Sequence, residues 1–113
     1  GLTVRGVVGL AAITDLEAYA RGDNSCERAA SAFMGGDVDA LQAAYASANP
    51  IRQSTHPGTT LMTGTMDSIV TPPQGEMVDA VQVVVQAAGH FDFIHPQTIA
   101  WQRFTRLIEE QLQ

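Results

Sequence analysis

Residues 59 to 90, TTLMTGTMDSIVTPPQGEMVDAVQVVVQAAGH, decide the fold of this chain. Two short apolar runs lie in it, residues 59–63 and residues 81–85, and each leads into a polar loop. The first, TTLMT, reads as a buried strand, and the second, VQVVV, as a strand dominated by valine. β-branched residues of this kind favour strands. Gly64 ends the first run, residues 67–73 form a loop closed by Pro72 and Pro73, and residues 74–80 suit a short helix. A parallel crossover needs roughly a dozen residues, so the connection between the two runs is feasible but short.

Working outward gives the rest of the architecture. Upstream, residues 2–12 are nearly all apolar, with β-branched Thr3, Val4, Val7 and Val8, and read as another buried strand. Thr14, Asp15, Leu16 and Glu17 then read as a helix start with an acid in the first turn. Residues 26–34 suit a helix ended by Gly35-Gly36. Asp37 is a good N-cap for a helix over residues 38–46, and Asn49-Pro50 stops it. His56-Pro57-Gly58 is a turn. Downstream, residues 87–96 are a loop holding Gly89 and His90. Residues 97–112 show the clearest helical period, with Trp101, Phe104, Ile108 and Leu112 on one face. Alternating strands and helices mean βαβ units. The expected fold is α/β in three layers, a partial parallel sheet of about three strands flanked by helices.

In an open parallel sheet, functional residues gather on loops at the carboxyl ends of strands. Asp67 and His90 sit there, one after each apolar run. A carboxylate that fixes an imidazole tautomer and stabilises its cation is the acid–base part of a hydrolase triad. The segment Gly64-Thr65-Met66-Asp67-Ser68-Ile69-Val70-Thr71-Pro72-Pro73 resembles the acid loop of the α/β-hydrolase superfamily. Ala88-Gly89-His90-Phe91-Asp92 resembles its histidine loop, and the acid-then-histidine order agrees with the family's. The opening residues 4–16 are similar to the strand after the nucleophile helix, and residues 94–112 to the final helix of small esterase-type members. The resemblance covers essentially the whole chain and implies the carboxyl-terminal half of such a fold. Asp67 is then the triad acid, His90 the triad base, and residues 15–48 cap-like helices. Phe33, Met34 and Tyr45 would line an acyl pocket or simply pack. Substrates would be carboxylic esters or related acyl compounds, with no cofactor and no metal.

One departure is decisive for activity. Ser25, Ser31, Ser47, Ser54 and Ser68 all lack the flanking glycines of a Gly-x-Ser-x-Gly elbow. Asp67 and His90 alone have no serine to activate. The expected partner is therefore a missing amino-terminal half or a second copy of this chain. Either would pair along the first strand, from Thr3 to Leu10, whose outer edge is left open.

The other candidates read more plainly. Asp92 is expected to hydrogen-bond within its loop, His95 to sit at the helix entry, and His56 to face solvent in its turn. His90, Asp92 and His95 do not have the spacing of a strong metal site. Cys26 reads as a small buried hydrophobe, and Met34, Met62, Met66 and Met77 as core fillers. Of 113 residues 45% are hydrophobic and 16% charged, against about 25% charged in ordinary domains. Such a chain has apolar surface to hide, in a two-sided sheet or against a partner. All six cations are arginine, set against twelve acids, for a net charge of −6. That balance argues against a nucleic-acid or anionic-membrane partner. The apolar start, broken by Arg5, does not read as a signal peptide. A single cysteine excludes an internal disulfide and leaves only a lean to the cytoplasm.

Overall fold

In a computed structural model, which describes residues 1–113, the central strand is the first of the two runs. Strand β1 (Val7–Leu10) pairs with β2 (Thr59–Gly64), and β2 pairs with β3 (Val81–Val85). Both pairings are parallel and the spatial order is β1-β2-β3. Every residue of β2 is buried, Thr59, Thr60 and Thr63 among them, as befits the central strand of a sheet covered on both faces. Register sets Leu10 beside Met62 and Met62 beside Val83, which places one apolar row on one sheet face.

The chain divides into two units, residues 1–12 with 55–113, and residues 13–54. In the first, helix α4 (Ile99–Leu112) lays Phe104 and Leu107 on a core of Ala11, Met62, Val85, Ala88, Phe93 and Ala100. Thr98 starts that helix, its hydroxyl accepting from Trp101 N at 3.1 Å. The second unit holds α1 (Leu16–Ala20), α2 (Ser25–Met34) and α3 (Gln42–Ala48) around Ala20, Val38 and Tyr45. Tyr45 is fully buried, and its hydroxyl donates to Gly36 O at 2.9 Å. Asn49 is equally buried and fully bonded. Its Oδ1 accepts from Leu16 N, and its Nδ2 donates to Asp15 Oδ1 and Glu17 Oε2.

Several expectations change in detail. The first strand starts at Val7 rather than Thr3. Ladder pairing begins only where Val7 meets Thr59, because the turn at residues 56–58 lies opposite the preceding residues. His56, partly exposed, also braces that turn. Its Nδ1 accepts from Gly58 N at 3.0 Å, so its Nε2 carries the proton and donates to Val4 O at 3.0 Å. No helix spans residues 74–80. Pro72–Gly75 forms a single 3-10 turn, and left-handed Asp79 (φ 63°) precludes a helix across that segment. Asp37 caps a turn, accepting from Ala40 N at 2.9 Å, and α3 begins later, at Gln42. Cys26 is exposed, as α2 buries none of its residues. Met62 lies in the core but Met66 is exposed. Gly35 ends α2 as expected, in the left-handed conformation that glycine adopts without penalty.

Candidate active site

The loops after β2 and β3 are tied together before either catalytic candidate is reached. Thr65 N donates to Val85 O at 3.1 Å, and Met66 N to Ala88 O at 2.9 Å. In return Ala87 N donates to Thr65 Oγ1 at 2.8 Å. This close approach needs glycine at position 64. A Cβ there would stand 2.2 Å from Ala88 O, well inside any real contact.

Asp67 follows directly on this tie. Its side chain is fully buried. Oδ1 accepts from the backbone N–H groups of Ile69 and Val70, each at 2.9 Å. That is an Asx-type turn, the local habit of aspartate that makes it common in loops. Here it also clamps the carboxylate. Oδ2 is left pointing at His90 Nδ1, 2.8 Å away. A buried carboxylate without partners would be costly, and this one has three.

His90 is held from its own side. Asp92 Oδ2 accepts from Gly89 N at 2.9 Å, and Asp92 N donates back to Gly89 O at 3.3 Å. Asp92 therefore has the loop role expected of it. The Phe91 ring meets the imidazole edge-on, with centroids 4.9 Å apart and planes at 86°. His95 accepts from Gln97 N at the entry to α4, also as expected.

The arrangement fixes the chemistry of the ring. An ionised carboxylate only accepts hydrogen bonds, so Nδ1 must carry the proton. Neutral imidazole then presents a lone pair at Nε2. That nitrogen makes no hydrogen bond within the chain, and the side chain is 23% exposed. Thus Asp67 and His90, placed on adjacent strand ends by sequence, form a hydrogen-bonded carboxylate–imidazole pair with Nε2 free. The short crossover between the strands does not keep them apart.

A cavity of about 150 Å³ lies beneath the histidine loop, lined by Ala88, Asp92, Thr98 and Ile99 among others, but not by Asp67 or His90. Of the pair only His90 reaches the surface. No three His, Cys, Asp or Glu side chains gather as metal ligands. Thr65, the hydroxyl that joins the two loops, was not singled out by sequence, since a threonine beside a strand end carries no distinctive signal. No protein-family model matches the chain, and no curated protein matches it.

Proposed function

We propose that this chain is the carboxyl-terminal part of an α/β-hydrolase-type serine hydrolase acting on carboxylic esters or related acyl substrates. The observation that carries the reading is the 2.8 Å contact from Asp67 Oδ2 to His90 Nδ1, with Nε2 free. A general base needs a lone pair aimed outward and a fixed tautomer, and this pair has both. In the reaction, Nε2 takes the proton of a serine hydroxyl as the oxygen attacks the acyl carbon. Asp67 stabilises the imidazolium so formed. The same Nε2–H then protonates the leaving alkoxide. In the second half, Nε2 deprotonates the water that attacks the acyl-serine. The serine and the oxyanion hole come from an amino-terminal half that pairs beside β1. Met66 and Phe91, next in sequence to the pair and both exposed, favour an acyl group with apolar character.

The test is reassembly. The chain is combined with an amino-terminal half that bears a Gly-x-Ser-x-Gly elbow, and assayed on an unactivated alkyl ester. Turnover that requires both the elbow serine and His90 is the expected result. A correctly assembled domain whose turnover is unaffected by His90→Gln overturns the reading.

A second reading is favoured by a separate observation: β1 is hydrogen-bonded on one side only. Here the chain is an inactive hydrolase-like module that pairs with a second copy through that edge. Size-exclusion chromatography with light scattering distinguishes the two, since this reading requires a dimer at micromolar concentration.

A further inference from the structure

The three histidines of this chain differ in one respect that bears on reactivity. In His56, Nδ1 accepts from Gly58 N and Nε2 donates to Val4 O, so neither nitrogen offers a lone pair. In His95, Nδ1 accepts from Gln97 N, and the proton of the neutral ring lies on Nε2. His90 alone has its proton held by a carboxylate and its other nitrogen unbonded. That is the state in which imidazole acts as a nucleophile and not only as a base. Competing nucleophiles are few. The chain has no lysine, Tyr45 is fully buried and Tyr19 nearly so, and the one thiol is that of Cys26.

We propose that the chain by itself catalyses the hydrolysis of activated aryl esters, with His90 Nε2 as the nucleophile. The Nε2 lone pair attacks the acyl carbon and a C–N bond forms. The C–O bond to the aryl group breaks, and its electron pair leaves with the phenolate. Asp67 stabilises the positive charge on the acylated ring through the Nδ1 proton. Water then attacks the acyl carbon and the C–N bond breaks. The carboxylic acid departs, a proton passes to solvent, and the ring regains its lone pair. No oxyanion hole is needed, because a phenolate is a good enough leaving group for a water-solvated oxyanion to collapse. Alkyl esters, whose alkoxides leave poorly, stay outside its reach. The activity rests on the geometry of the Asp67–His90 pair and not on the serine-hydrolase reading. Failure on aryl esters here and failure of alkyl-ester turnover after reassembly are therefore separate results.

The experiment follows p-nitrophenol release from p-nitrophenyl acetate by the full chain in a Cys26→Ser, His95→Gln background. Folding of each variant is checked by circular dichroism. His90→Gln should slow the reaction at least tenfold. Asp67→Asn should do nearly the same while keeping the fold. Its amide can still accept from Ile69 and Val70, but its NH₂ faces Nδ1 and drives the ring proton onto Nε2. Peptide mass spectrometry of briefly acylated protein should find the acetyl group on His90. A folded His90→Gln chain as fast as its parent overturns the proposal. So does an Asp67→Asn chain at full rate, or an adduct that forms on other residues only.

Discussion

At Gly64 a single hydrogen atom separates the acid loop from the histidine loop. Alanine there would drive its methyl group into Ala88 O. Overpacking of this kind costs about 1–3 kcal/mol. The more telling effect is local: Gly64→Ala should part His90 from Asp67. The Nδ1 proton of His90, bonded to Asp67 at 2.8 Å, should give a low-field resonance in the parent that weakens or vanishes in the variant. Sequence set Asp67 and His90 in the loops after two strands, where they lie, because each follows a strand-forming run. It could not show the clamp on Oδ1, which needs Ile69 and Val70 to turn their amides inward. Nor could it show that Cys26 is exposed, since a lone cysteine in a mildly apolar helix carries no mark of which way it faces.

Among the elements, strands were more legible than the turns that join them. Residues 81–85 match β3, and residues 59–63 match β2 to within one residue. Runs rich in β-branched threonine and valine leave the backbone few alternatives. Residues 74–80 depart from the expected helix because local propensity says nothing of the left-handed Asp79, nor of Gly75 pressed on Thr63. Phe93, only 1% exposed, anchors the turn after His90 to the core. Phe93→Ala should cost about 3–5 kcal/mol by chemical denaturation, most of it from the cavity left behind. Thr98→Ala removes the N-cap of α4 and should cost about 1 kcal/mol by the same measurement. In the helical unit, Arg21 and Asp39 are paired at 2.8 Å, and the hydrogen bond to Arg21, then its charge, lower the Asp39 pKa from the ordinary 3.8. A folded-state pKa below the unfolded one stabilises above the unfolded value, and that gain is lost as pH falls through the folded one. Both side chains are largely exposed, so solvent screens the pair. Asp39→Asn should shift the melting temperature only slightly at neutral pH and not at all once the carboxylate is protonated.

For the whole molecule, the low charge content and the open edge of β1 point the same way. An apolar strand bonded on one side is a template for another strand. Val7 lies on that edge strand and is 41% exposed, so lysine fits there without entering the core. If the chain pairs through β1, Val7→Lys should lower the apparent mass seen by light scattering toward that of a monomer. Its melting profile at low protein concentration should stay unchanged. The Asp67 turn also bears on how the molecule opens. The amides of Ile69 and Val70 point at Oδ1 and cannot trade their hydrogens for deuterium until that grip is released. Their exchange times therefore act as two built-in clocks for the acid loop. If they run at the pace of Met62 in the central strand, the loop is released only when the whole sheet comes apart. If they run faster, it has an excursion of its own, and the difference measures the free energy of that excursion.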